Sequence, residues 1–301
     1  MEQELRRRIL IGFADCLSLE ERKRFISEGV SESSVLEMCG NPQNVRKQAD
    51  DVCARLSKDT EMKIMWYGDC GFPDFEGIER HLPYMLFYYG KKPESDRRYV
   101  SVVGTRRADY YGHQAAFRTG LEASANGISV VSGLAEGCDQ AALMGALEGK
   151  TPCYAVLGCG LDVDYPSMSV PIKKRIIAEG GAVISRFAPG MPPLRQNFPN
   201  RNVIIAAMSE VTVVVQAPAR SGALLTADFA LQMNRDVAVV PEGLGTRWCR
   251  EGSQMLYEEG AKNAVGIETL FYCKKPVRVM PSCESASSIR FGDGFYILKT
   301  H

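Results

Sequence analysis

From Tyr99 onward the chain alternates between two textures. Short apolar runs, YVSVV, ISVVS, CYAVLG, AVISRF, VTVVVQA and DVAVVP, are separated by segments with helical periodicity, HQAAFRTGLEASAN, DQAALMGALEG, VPIKKRIIAEG, NVIIAAMSE, LLTADFALQMN and SQMLYEEGA. Strands that are apolar on both faces need cover on both faces, and intervening helices supply it. The pattern predicts an α/β fold, a doubly wound and mostly parallel sheet running to about residue 274. Parallel strands all end on one edge of such a sheet, and ligands bind at that edge.

Residues 1–64 read differently, as a small helical N-terminal domain. ELRRRILIGFADCL has apolar residues at helical spacing, SLEERKRFISEG opens with Ser18 and Glu21 in the capping-box arrangement and closes at Gly29, and NVRKQADDVCARLSKD adds a further helix. The charged run Glu20–Arg24 suits a solvated helix face. A lead-in segment, 65–98, is punctuated by glycine and proline and predicts short strands. Residues 275–301 are polar and rich in Pro, Ser and Gly. They predict a linker and tail with room for one short strand and too few residues for a winged helix.

Composition narrows the function. The 301 residues carry 36 basic and 36 acidic side chains, so the chain as a whole does not coat duplex DNA electrostatically, although a local basic cleft is compatible with that balance. Ten cysteines occur without a C-x-x-C pair, and the three histidines, His81, His113 and His301, are scattered, so no metal site is expected. No signal peptide and no apolar run long enough to span a membrane are present, and a reducing cytoplasm with free thiols is the expectation. G-x-G-x-x-G after a strand and G-x-x-x-x-G-K-[ST] are both missing, which removes the usual anchors for a dinucleotide or Walker-type site and leaves no cofactor expected.

The strand ends carry the informative residues. The first apolar run breaks into Gly104-Thr105-Arg106-Arg107, the second into Ser132-Gly133-Leu134, the third into Gly158-Cys159-Gly160, and VTVVVQA is followed by Pro218 to Gly222 and then Thr226. Glycine turns let an anion approach the backbone, helix N-termini offer free N–H groups, and arginine pairs with phosphate. A further stretch, LRQNFPNRN, sets Arg195 ahead of Phe198, Pro199, Asn200, Arg201 and Asn202. Two readings of it stand open. Phe198 stacks on a base while Arg195 and Arg201 pair with phosphates, or Phe198 is a hydrophobic staple and Asn200 or Asn202 caps the next helix. Asp139 and Asp162 read as an acid pair or as caps, and Cys159 as a thiol of lowered pKa or as a small residue in a tight turn.

At these residues the sequence resembles the DNA-processing protein A family (DprA, also called Smf). The blocks that carry the resemblance are GFPDFEGIERHLPYMLFYYG, VGTRR…YG, VVSGLAEGCDQAALMGAL, YAVLGCGLDVDYP, FPNRN, VVVQAPARSGALLTA and VAVVPEG, together covering roughly residues 65–271. The resemblance implies an extended Rossmann-like domain that binds single-stranded DNA, forms a homodimer, and loads a RecA-type recombinase during natural transformation or related DNA processing. DNA contacts would fall on Arg106, Ser132, Gly133, Arg195, Phe198, Arg201, Asn202, Ser221, Gly222 and Thr226. The chain departs from the family pattern at Glu136, Cys138, Leu143, Val203, Gln216 and Glu242. The alternative is a nucleotide-ligand-binding enzyme or sensor of the same superfamily, phosphoribohydrolase-like. PEGLGTRWC resembles that motif imperfectly, and in RSGALLTADFA Asp228 is the only acid at hand.

Overall fold

A computed structural model describes residues 2–78, 82–245 and 250–271 of the chain. The expected linker and tail, 275–301, lies outside the described residues, as do His81, Cys249 and His301. Four helices come first: α1 (Glu2–Phe13), α2 (Leu19–Ser27), α3 (Glu32–Met38) and α4 (Pro42–Leu56). The last three each start at a short polar side chain that accepts a backbone N–H of the first turn. Ser18 Oγ accepts from Glu21 N at 3.3 Å while Glu21 Oε2 accepts from Ser18 N at 2.8 Å, a complete capping box. Ser31 and Asn41 cap α3 and α4 in the same sense, with Pro42 in the first turn, where its missing N–H costs nothing. The seven residues of α3 span too few turns to show a periodicity, so the sequence pattern passes over it.

The sheet has nine strands among the described residues: β1 (Lys63–Trp66), β2 (Met85–Gly90), β3 (Arg98–Val103), β4 (Ile128–Ser132), β5 (Tyr154–Leu157), β6 (Ala182–Ser185), β7 (Val211–Val214), β8 (Asp236–Val239) and β9 (Lys262–Asn263). Their order is β1-β2-β6-β5-β4-β3-β7-β8-β9. Every pair from β6 through β9 is parallel, and β1 and β2 are antiparallel additions on the β6 edge. The interleaved helices are α5 (Tyr110–Ala125), α6 (Cys138–Leu147), α7 (Val170–Ala178), α8 (Asn197–Ala207), α9 (Gly222–Gln232), α10 (Pro241–Gly245) and α11 (Glu251–Glu258). The fold is α/β and doubly wound.

Alternating strand residues feed two cores, as the two-residue repeat of a strand requires. Val100, Val130, Leu157 and Val213 lie in one apolar cluster with α5, α6 and the N-terminal residues Ile9, Val35 and Val52, so the first four helices pack onto the face that α5 and α6 cover. Val103, Val131, Val156 and Val214 lie in the other, with α8, α9 and the lead-in residues Phe72 and Phe75. Arg235 ties this second layer together. It is buried, and it donates to the Ala206 and Ser209 carbonyls at the end of α8 and to the Asp74 carbonyl, each at 2.8 Å. Burial pulls its pKa down to about 10.

The strand order sets the position of the site. From β3 the chain winds outward through β4, β5 and β6, then returns along α8 to place β7 on the other side of β3. The loops leaving β3 and β7 therefore run to helices on opposite faces, and a crevice opens between them.

α5 and α6 approach closely because each presents a glycine to the other's backbone. A Cβ on Gly120 would overlap the Ala142 carbonyl, and one on Gly145 the Phe117 carbonyl. Alanine at Gly145 would gain about 1 kcal/mol of helix propensity, but overpacking against a backbone that cannot turn aside costs about 1–3 kcal/mol. Gly145→Ala is expected to lower the urea midpoint of unfolding despite its better propensity.

Candidate nucleic-acid interface

The loop after β3 is stapled before it presents its arginines. Thr105 N donates to the Gln216 carbonyl at 2.7 Å, the Thr105 carbonyl accepts from Cys138 N at 3.2 Å, and Asp109 N donates to Gln216 Oε1 at 3.2 Å. Gly104 is a requirement of this packing, since a Cβ there would stand 2.5 Å from Cys138 Sγ. Gly137 opposite has φ +81 and lies against the Thr105 and Arg106 carbonyls, so it needs glycine on both counts. The backbone is held from three sides, and the Arg106 and Arg107 side chains are left exposed.

α8 begins earlier than its sequence suggests. Phe198 and Pro199 belong to the first turn of the helix, which starts at Asn197 after Gln196, where no side chain makes a capping bond. Proline is tolerated there because the first N–H groups have no partner within the helix. Phe198 is therefore no staple ahead of a cap, and neither Asn200 nor Asn202 is the N-cap. Asn200 Nδ2 donates back to the Gln196 carbonyl at 3.3 Å. Asn202 is buried, donating to the Gly222 carbonyl at 2.9 Å and accepting from Arg201 Nε at 3.0 Å.

Phe198 faces the crevice. Arg106 lies over its ring with Cζ 4.8 Å from the centroid, and Tyr165 meets it at 5.9 Å and 55°. Gly158 passes beneath, where a Cβ would stand 3.0 Å from the ring edge. Arg106 and Phe198, which the sequence separates by a whole half-sheet, thus touch. The crevice between the β3 and β7 ends has a volume of about 340 Å³, and its lining includes Gly104, Thr105, Arg106, Arg107, Asp139, Phe198, Arg201, Asn202, Arg220, Ser221, Gly222 and Thr226. A smaller hollow beside it, under Tyr165 and Phe198, is bordered by Gly133 and the exposed Glu136.

The remaining residues divide by access. Ser132 is fully buried and its hydroxyl donates to the Val102 carbonyl at 2.6 Å. Leu134 is buried with φ 57, the left-handed region that a branched side chain occupies only under constraint. Ser221 Oγ caps α9 by accepting from Ala223 N at 3.1 Å, and Thr226 Oγ donates to the Gly222 carbonyl at 3.2 Å. Arg195 is exposed ahead of α8, and neither it nor Asn200 lines the crevice. Two lining residues are ones that sequence reasoning missed. Arg220 sits within the Pro218–Gly222 turn, where its charge was the available signal, and Tyr165 in DYP repeats the aromatic-proline pairing of Phe198 and Pro199.

Arg201 is the largest surprise. It is 4% exposed, and its guanidinium donates to the Val156 carbonyl at 2.7 Å and to the Gly133 carbonyl. Burial pulls its pKa down and pushes that of the nearby Asp139 carboxyl up, and the opposite charges offset part of each shift. Arg201 lines the crevice floor as a brace between α8, β4 and β5, a role that its place in a loop-like motif concealed.

The candidate catalytic groups have structural partners. Asp162 accepts from Gly190 N at 2.8 Å and pairs with Arg55 of α4 at 3.3 Å, while buried Asp139 faces Arg201. Burial raises the Cys159 thiol pKa, which opposes nucleophilic use. His113 is exposed on α5, and Asp228 accepts from Gln232 on α9 at 2.7 Å, outside the crevice lining.

Open α/β sheets with a crevice at the switch point form a broad class, and this chain is one of them. Within that class it belongs to the DprA/Smf family: the family model described as DNA recombination-mediator protein A matches residues 63–273. It is 36% identical over 235 residues to the DNA processing protein DprA of Streptococcus pneumoniae, covering 74% of this chain and 79% of that one. Protein Smf of Escherichia coli is 35% identical over 179 residues, and there the match spans 60% of this chain and only 48% of the relative. Among solved structures, DprA from S. pneumoniae superposes with a TM-score of 0.74 at 27% identity, covering 91% of this chain and 98% of that one. DprA from Helicobacter pylori, in a study of its single-stranded DNA binding mode, superposes with 0.59 at 26% identity over 69% of this chain and 93% of that one.

The two arginines of the crevice should separate by stability. Arg201→Met strands a buried carboxyl and two carbonyls and is expected to cost about 3–5 kcal/mol, while Arg106→Ala gives up an exposed cation–π contact of about 0.5–1 kcal/mol. Urea denaturation followed by circular dichroism measures both, and equal losses would contradict the brace.

Proposed function

We propose that the protein binds single-stranded DNA in the crevice between the β3 and β7 ends. The observation that carries this reading is Arg106 held over Phe198 at 4.8 Å on a stapled glycine loop, a positive charge and a ring face presented together. Exposed Arg106, Arg107 and Arg220 offer guanidiniums to successive phosphates, while Phe198 and Tyr165 offer ring surface to a base. A duplex keeps its bases stacked and has no free base face to give these rings. Glu136 limits the positive field on the Gly158 side, so the backbone path follows the Arg106–Arg220 side.

Membership of a family described as recombination mediators, and a family member studied for its single-stranded DNA binding, support the wider role: a homodimer that loads a RecA-type recombinase onto single strands in natural transformation or related DNA processing. Light scattering tests the dimer, and recombinase filament assembly on DNA precovered by a single-strand-binding protein tests the loading.

Titration of a fluorescent oligothymidine across a salt series tests the binding. Affinity should fall with salt, and Arg106→Ala should lower both affinity and the log–log slope, the slope by about 0.7 if one phosphate is no longer neutralised. Phe198→Ala should cost about 1–3 kcal/mol with little change in slope. Equal affinity for a duplex of the same length, or binding indifferent to both substitutions, would refute the assignment. Hydrolysis of a nucleoside monophosphate by the pure protein would favour the phosphoribohydrolase-like alternative instead.

A further inference from the structure

Away from the crevice, the connection between α1 and α2 carries Cys16, and Cys39 ends α3. Their sulfurs lie 3.4 Å apart, the one sulfur–sulfur contact among the described residues, where all cysteines are free. Cys16 is exposed. Cys39 is half-buried, and its thiol donates to the Val35 carbonyl at 3.3 Å. A cavity of about 380 Å³ opens beside the pair, bordered by Asp15, Asn41, Asn44 and Gln48, roomy and polar enough to admit a small hydroperoxide.

We propose that Cys16 and Cys39 are a peroxide-responsive modification site that closes to a reversible intramolecular disulfide. A disulfide needs its sulfurs about 2.05 Å apart, so the pair must close by roughly 1.4 Å. Cys16 sits in a short connection outside any helix, and Cys39 at a helix end has extended backbone, so neither movement breaks a regular element.

The chemistry balances in two steps. The exposed Cys16 sulfur attacks the peroxide, the O–O bond breaks, and Cys16 becomes a sulfenic acid as the peroxide is reduced to water or an alcohol. Cys39 then attacks the Cys16 sulfur, the S–O bond breaks, and the Cys39 proton leaves with the departing hydroxide as water. Position gives Cys39 the second role, since its sulfur already lies 3.4 Å from that of Cys16; burial, and then its hydrogen bond with Cys16, push its pKa up to about 11 and disfavour it as the group that meets peroxide first. Burial lifts the thiols of Cys138 and Cys153 to about 12, and the Cys159 thiol donates to the Val163 carbonyl rather than to a second sulfur. In a reducing compartment such a bond is transient, opened by exchange with a small thiol.

The test uses the full chain and hydrogen peroxide, followed by alkylation and peptide mapping without reduction. The expected result is a Cys16–Cys39 linked peptide pair, loss of both thiols from alkylation, and recovery of both after dithiothreitol. Cys16→Ser should leave Cys39 alkylatable after the same treatment. Cys39→Ser should trap Cys16 as a sulfenic acid that dimedone labels. Wild-type protein in which dimedone labels Cys16 while Cys39 remains a free thiol, or in which Cys16 bridges two chains, would overturn the proposal.

Discussion

The buried guanidinium of Arg201 is the interaction on which the crevice depends. It projects from the first turns of α8 and binds the carbonyls of Gly133 and Val156, at the ends of two neighbouring parallel strands. Buried carbonyls need donors, and here one internal guanidinium serves two of them. By satisfying both, one side chain fixes the N-terminal turn of α8 against the sheet edge and thereby fixes Phe198. Gly133 belongs to the same contact, because any Cβ there would occupy the space that Arg201 and Asp139 fill.

The site then divides its labour between a rigid floor and an exposed rim. Ser132, Leu134, Arg201, Asn202, Ser221 and Thr226 turn their polar or apolar groups to the protein itself. Arg106, Arg107 and Arg220 remain exposed above them. A chain of zero net charge can thus still present a local cluster of three exposed arginines, placed by loop geometry rather than by a general excess of positive residues.

Much of the fold was legible because its signals are repetitive. Six apolar runs and the helices between them reproduce as β3 to β8 and α5 to α9 with α11, and Ser18 with Glu21 forms the cap that its spacing requires. Short elements without a full period, α3, α10 and β9, gave no such signal. Within the site, the sequence could place Arg106 and Phe198 on a common rim, since strand ends share an edge. It could not tell which arginine faces water. Arg106 and Arg201 look alike in sequence, and only the folded chain brings the Gly133 and Val156 carbonyls within reach of an inward-turned Arg201. The helix start at Asn197 was hidden for a related reason: proline reads as a break, yet in a first turn it breaks nothing.

The return along α8 has a consequence for how the molecule comes to exist. β3 and β7 lie side by side, Val100 against Val211, yet all of β4, β5 and β6 intervene in the chain. The two banks of the furrow are thus contributed by distant stretches of polypeptide, and joining them is among the costliest loop closures in the fold. A chain that has reached only β6 owns one bank and no furrow, so the crevice is complete only once β7 has docked beside β3.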